Sequence, residues 1–284
     1  MIIAVLIVVG LAFGSFVNAL VWRLHEQDML QGKKGSKATK KAVSRLSVVK
    51  GRSMCPNCKH ELKALDLIPV LSWLALHGRC RYCKKRISAQ YPLVEVSTAL
   101  VFVMSYLVWP YAMSGSLAQI IYFSLWLVMV VGLMALLIYD LRWMILPDKI
   151  VFVLGGVAAA MAIITIATAH KPLSALIGVI LSVAVGGGIF YVLYQVSGGK
   201  WIGGGDVKLG WVLGLFLATP ARSFLMIFAA ALLGSLVSLP LLASKRLKKN
   251  STIPFGPFLI VGSIFVMLYG QTVIDWYHKT FVPF

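Results

Sequence analysis

Apolar stretches of near-helical length alternate along this chain with short polar connections. Eight runs, 1–22, 94–110, 118–139, 149–168, 173–196, 206–219, 222–243 and 253–275, are mostly hydrophobic. A bilayer-spanning helix needs ~20 such residues, so the pattern predicts an all-α integral membrane protein of about eight transmembrane helices. From Val96 to Tyr139 there is no formal charge, and Pro110–Ser116 divides that stretch into two spans. The run 206–219 is short, about 21 Å at ~1.5 Å per residue. Were it not to cross, the cluster Lys245–Lys249 would fall on the opposite side from the other basic residues. Parity therefore favours a short crossing helix in a locally thinned bilayer. The first run lacks a basic segment before it, and its first charge, Arg23, follows it. It reads as a retained helix with its N-terminus outside, not as a cleaved signal.

Composition sharpens this picture. The 284 residues are 60% hydrophobic and 13% charged, whereas soluble domains carry about 25% charge. That excludes a soluble enzyme, and the dominance of apolar residues excludes a disordered or fibrous chain. The net charge of +18 would suggest nucleic acid in a soluble protein. Here 16 of the 27 basic residues lie within 22–93, and only Lys171, Arg222 and Lys279 fall on the outer side. This is a positive-inside distribution, and no nucleic-acid partner is expected. The segment Gly32–Lys50, basic and bearing glycine and serine, reads as an arm near anionic lipid headgroups.

All four cysteines lie in the long polar segment, as Cys55-Pro-Asn-Cys58 and Cys80-Arg-Tyr-Cys83. Two such knuckles supply four thiolates in the arrangement structural zinc favours. Two disulfides or free thiols are the alternative, and a reducing cytosolic face argues against stable disulfides. His60 beside the first knuckle reads as a surface residue and not a further ligand.

Nine acidic residues exist, and Glu95, Asp140, Asp148 and Asp206 lie at ends of spans. Carboxylates at membrane depth are costly and suggest function. Asp148 follows Pro147, and its ordinary reading is a helix N-cap. Asp206, in Gly203-Gly-Gly-Asp206-Val-Lys208, has the same ordinary reading. Asp140 has none beyond pairing with Arg142 or Lys149. Asp140 and Asp206 fall on one side of the membrane by the span count. Two carboxylates in one desolvated site do not both ionise easily. The ionised one can take a proton from water while the protonated one polarises a carbonyl. That is metal-free aspartic-peptidase chemistry.

These residues resemble the bifunctional type IV prepilin peptidase family. The likeness runs through Gly14-Ser-Phe-Val-Asn18, Arg23-Leu24, Arg52-Ser-Met-Cys-Pro-Asn-Cys58 and Ile68-Pro-Val-Leu-Ser-Trp-Leu74. It continues in Gly78-Arg-Cys-Arg-Tyr-Cys83, Ile87-Ser88, Tyr91-Pro-Leu-Val-Glu95, Leu146-Pro-Asp148 and the Gly203–Lys208 motif. The family commonly has proline after the Arg-Leu pair, where this chain has His25.

The resemblance implies a multi-pass enzyme of the bacterial inner membrane, its active site facing the cytosol. It would cut the basic leader from prepilins and pseudopilins after a glycine. It would then methylate the new N-terminal residue, usually Phe, with S-adenosylmethionine, serving type IV pilus assembly, type II secretion or both. Carried over, the catalytic pair is Asp140 and Asp206, supported by Gly203, Gly205, Lys208 and Asp148. Methyl transfer attaches to Gly78 and Glu95, and zinc to Cys55, Cys58, Cys80 and Cys83. The expected organisation is one helix (1–22), a zinc-knuckle loop domain (23–93) and a multi-span peptidase domain (94–284). Three rivals are a transporter, a peptidase-only homologue and a non-catalytic assembly component. No second copy of either aspartate motif supports the transporter. The cysteine knuckles and Glu95 favour the bifunctional form, and an assembly component would not need the aspartate pair.

Overall fold

The computed structural model describes residues 1–31, 46–48, 51–111, 115–244 and 253–281. Among these there is no strand, only two isolated antiparallel bridges, Met54–Glu61 and Arg79–Arg86. The chain divides into two compact units, Met1–Leu107 and Val108–Phe284. The sequence-based division after residue 93 follows composition, whereas packing groups the next helix with the first.

The first unit is built on α1 (Ile2–Gln31) and, after a short α2 (Leu71–Ala75), α3 (Gln90–Leu107). α1 outruns its apolar segment by nine residues. The sequence Trp22–Gln31 contains neither proline nor glycine, so nothing within it breaks the helix. The polar extension is used. Buried Arg23 donates to the Ser47 and Val48 carbonyls, and Gln27 donates to that of Leu46 at 2.8 Å. α1 and α3 approach until backbones touch: a Cβ at Gly14 would lie 2.5 Å from the Cα of Glu95.

Between these helices sits a lobe of two matching knuckles. The Cys55 amide donates to the His60 carbonyl and the Lys59 amide to the Cys55 carbonyl. Cys80, Lys85 and Lys84 repeat the arrangement. Each knuckle closes through a lysine at positive φ, Lys59 at 56° and Lys84 at 58°. The basic arm expected near lipid falls on residues 32–45 and 49–50, outside the described residues, apart from Leu46–Val48.

The second unit holds α4 (Leu117–Trp143), α5 (Asp148–Thr168), α6 (Pro172–Val183), α7 (Ile189–Ser197), α8 (Gly204–Leu217), α9 (Pro220–Ala243) and α10 (Gly256–Phe281). Ser116 caps α4 by accepting the Gln119 amide, and Met144 at φ 53° ends it, as left-handed C-caps do. α4 is largely interior, with Trp126, Met129, Leu133 and Leu136 fully buried. α6 and α7 are joined by a π-turn, Ala184–Gly188. α8 packs against that turn with its glycines, and Ser182 donates to the Gly214 carbonyl at 2.7 Å. Arg222, buried at the start of α9, donates to the Tyr111 hydroxyl at 2.7 Å and to Gln271.

All eight apolar runs form helices, but among the described residues six helices are long and apolar enough to cross a membrane by themselves: Ile2–Leu30, Leu117–Trp143, Asp148–Thr168, Pro172–Ser197, Pro220–Ala243 and Gly256–Phe281. α3 carries Glu95, and α8 has only 14 residues. The basic cluster Lys245–Lys249, used in the parity argument, lies outside the described residues.

Candidate functional site

Asp140 lies in the last turn of α4 and is 4% exposed. Asp206 lies in the first turn of α8. The two helix ends meet at the start of α10, at Gly256. A Cβ built on Gly256 would collide with Asp140 Oδ2 and lie 3.3 Å from Asp206 Oδ1. Both carboxylates thus converge on one bare Cα, close enough to feel each other's charge. The sequence offered one sign of this residue, a glycine between two prolines in Pro254-Phe-Gly-Pro257, but a residue without a side chain does not announce chemistry. Replacing Gly256 by Ala is expected to cut the leader cleavage that the resemblance implies by at least about a hundredfold, the cost of misplacing reacting groups by an ångström. A prepilin cleavage assay measures this, and a wild-type rate would remove Gly256 from the site.

The ordinary N-cap readings of Asp148 and Asp206 do not hold. Pro147 occupies the N-cap position of α5, and Asp148 is its first helical residue. Asp148 Oδ1 instead accepts from Lys208 Nζ at 2.7 Å, tying α5 to α8. Gly203 is the N-cap of α8, and Asp206, three residues on, accepts its backbone N–H. Asp206 is thus aimed by its own helix start. Gly205 lies against Leu146, where a Cβ would sit 3.3 Å from its side chain. Gly203, Gly205, Lys208 and Asp148 therefore frame the pair without displacing it.

The four cysteine Sγ atoms lie within 4.8 Å of one another. None is in a disulfide, and Cys55 and Cys83 Sγ stand 3.9 Å apart, far beyond an S–S bond of about 2.05 Å. Four sulfurs at about 2.3 Å from a tetrahedral zinc would be about 3.8 Å apart. The donor set fits zinc. Burial raises the Cys55 thiol to about 11. At Cys80 burial is outweighed by hydrogen bonds from the Cys83 and Tyr82 backbone and the neighbouring thiols, and its thiol falls to about 7. A cation at the centre would favour the thiolate at all four. His60 is exposed and lies tilted by 36° against Tyr82, ring centroids 3.7 Å apart, outside the sulfur cluster.

Asp66 ties the lobe together. Its side chain is 4% exposed and accepts from Arg81 Nε at 2.6 Å, Tyr82 Oη at 3.0 Å and the Lys63 amide at 3.2 Å. Burial alone would raise this carboxyl, and those hydrogen bonds outweigh it and hold it below the usual range.

Glu95, 6% exposed, accepts the Val70 amide at 2.7 Å and bonds the Ser15 hydroxyl. Gly78 adopts φ +66°, and a Cβ there would lie 2.9 Å from the Trp73 ring. Both residues thus shape the interior of the first unit, one through α3 and one through the lobe.

Residues 8–109 match the bacterial peptidase A24 N-terminal domain, and residues 127–239 match the type IV leader peptidase family. A prepilin leader peptidase/N-methyltransferase of Aeromonas salmonicida is 30% identical over 95% of this chain and 92% of its own length. A type 4 prepilin-like proteins leader peptide-processing enzyme of Escherichia coli O78:H11 is 36% identical over 90% of this chain and 89% of its own. A prepilin leader peptidase/N-methyltransferase of Bacillus subtilis is 31% identical over 82% and 88%. No solved structure matches the chain. Helices, paired aspartates and matched domains define a multi-pass membrane peptidase. The chain belongs to the type IV leader peptidase family.

Proposed function

We propose that this chain removes the leader peptide of type IV prepilins and pseudopilins at Asp140 and Asp206, and then methylates the exposed N-terminus with S-adenosylmethionine. The convergence of the two carboxylates on Gly256 carries the peptidase reading. One carboxylate, ionised, takes a proton from water as its oxygen attacks the scissile carbonyl. The other, protonated, donates to the carbonyl oxygen and so stabilises the tetrahedral intermediate. Proton transfer to the departing amine completes hydrolysis. Cleavage after a glycine leaves a free amine, usually of Phe, as the substrate of the second reaction.

Eight membrane crossings, with α3 and α8 as the shorter ones, accord with the positive-inside count. They put the N-terminus outside and both reactions on the cytosolic face of the bacterial inner membrane. The lobe, held by zinc on Cys55, Cys58, Cys80 and Cys83, belongs to methyl transfer with Gly78 and Glu95, and the residues after 94 to proteolysis. The basic arm would rest on anionic headgroups, and the clients would serve pilus assembly, type II secretion or both.

The test incubates the solubilised full chain with a prepilin and S-adenosylmethionine and reads intact masses. Leader loss and methyl gain are expected together, and an unchanged prepilin would overturn the proposal. Glu95→Gln is expected to give cleaved but poorly methylated product, because the amine must shed a proton to be alkylated and a nearby carboxylate can take it. Full methylation by this variant would leave Glu95 a structural acceptor for Val70.

A further inference from the structure

The first unit contains a cavity of ≈ 140 Å³, lined by α1, α3 and the cysteine lobe. Trp22, Met54, Trp73 and Leu76 give it aromatic and apolar walls. Asn18 and Glu95 also line it. Asn18 is 4% exposed, and its Nδ2 donates to the Tyr91 carbonyl at 3.1 Å. Its Oδ1 is buried with no partner among the described residues. An unsatisfied buried acceptor is destabilising unless something in the cavity donates to it. The arginines that reach the wall are already engaged, Arg23 by the Ser47 and Val48 carbonyls and Arg81 by Asp66. The buried polar atom left open on this wall, Asn18 Oδ1, is an acceptor.

A fitting occupant has a flat apolar part, hydrogen-bond donors and positive charge, which also favours aromatic faces. S-adenosylmethionine has all three, in its purine, its amino groups and its sulfonium. We propose that this cavity is the methyl-donor site, with Asn18 Oδ1 and Glu95 receiving donor groups of the ligand or of the incoming amine. The inference rests on the methyl-transfer reading above. Transfer forms an N–C bond as the C–S bond breaks. Sulfur keeps the electron pair and becomes a neutral thioether, and the amine releases a proton to Glu95. Gly78 does not line the cavity, but its bare Cα is what lets Trp73 lie where it does. It is a positioning residue for that wall.

The experiment measures S-adenosylhomocysteine binding to the full chain in detergent by calorimetry. Ala19 also lines the cavity, and Ala19→Phe fills it without removing a polar group. That variant is expected to weaken binding more than about tenfold, and Asn18→Leu by about tenfold through one lost hydrogen bond to the ligand. Wild-type elution and thermal midpoint are required of both. Ultraviolet crosslinking of methyl-labelled S-adenosylmethionine provides a second readout that needs no variant, with label expected in peptides from residues 15–95. Wild-type affinity in both variants, or label confined to residues 108–284, overturns the site while leaving methyl transfer intact. A wild-type chain that neither binds the ligand nor methylates a prepilin overturns the methyl-transfer reading and this site with it.

Discussion

Asp140→Asn and Asp206→Asn are each expected to abolish leader cleavage, with a loss of about 10²–10⁴-fold or more, the span typical of a positioned acid or base. An amide neither accepts the proton of the attacking water nor donates one to the carbonyl, so the two halves of the reaction fail separately. The fold is not the casualty. Asp140 is buried at the end of α4, where asparagine is nearly isosteric, and the α4 C-cap is made by the Met144 amide and the Asp140 backbone carbonyl. Asp148→Asn is the contrast. It loses an ion pair with Lys208 in which both side chains are about half exposed, and such surface pairs contribute about 0–1 kcal/mol. Most of its cleavage should remain. Initial rates on a purified prepilin at matched enzyme concentration separate these cases. A wild-type rate in either the Asp140 or the Asp206 variant would sink the pair.

Cys80→Ser is expected to release the metal, expose the lobe to protease and abolish methylation while leader cleavage persists. Beyond the Asp66 hydrogen bonds the lobe has little apolar core to hold it. Neither α2 nor the 3-10 turn Ala64–Leu67 contains a buried apolar residue, and Leu65, Leu71 and Leu74 are exposed. Structural zinc contributes roughly 10–16 kcal/mol in small finger peptides, far more than such a scant core could replace. Cys80 also starts the second knuckle, so its loss disturbs the hairpin that carries Arg81 and Tyr82 to Asp66. Elemental analysis should give about one zinc per wild-type chain and markedly less in the variant. Limited proteolysis and intact product mass report the other two effects. Metal-free wild-type protein with four titratable thiols and a protease-resistant lobe would refute the zinc assignment.

Much of this architecture is legible in the residues because the bilayer admits so few solutions. A long apolar run in lipid must satisfy its backbone internally, and all eight runs are helical. What escapes such reading is whatever depends on neighbours. The contacts that the polar end of α1 makes with Leu46–Val48 are encoded by no hydropathy pattern. Asp148 and Asp206 look like caps because acids before apolar runs usually are, but Pro147 and Gly203 hold those positions. Asp140, Asp206 and the cysteines stand out through their chemistry and spacing. Gly256 and Asn18 do not, since one has no side chain and the other lies within an apolar run. The π-turn at Ala184–Gly188 is likewise visible only once α8 is packed against it.

With Asp206 in the proposed pair, the start of α8 ties cleavage to a local melting equilibrium. Its N-cap is Gly203 and its first residues are Gly204 and Gly205, so the N-cap residue brings no side chain to cap it. Opening one turn there costs little, because glycine regains more backbone freedom than any other residue and terminal turns are the first to fray. Asp206 belongs to that turn, so each opening scatters the carboxylate pair while the packed body of the unit stays intact. Cleavage should therefore decline on heating at temperatures where the protein is still folded. Hydrogen exchange at the Asp206 and Val207 amides, faster than at Leu213 in the same helix, would record the openings directly.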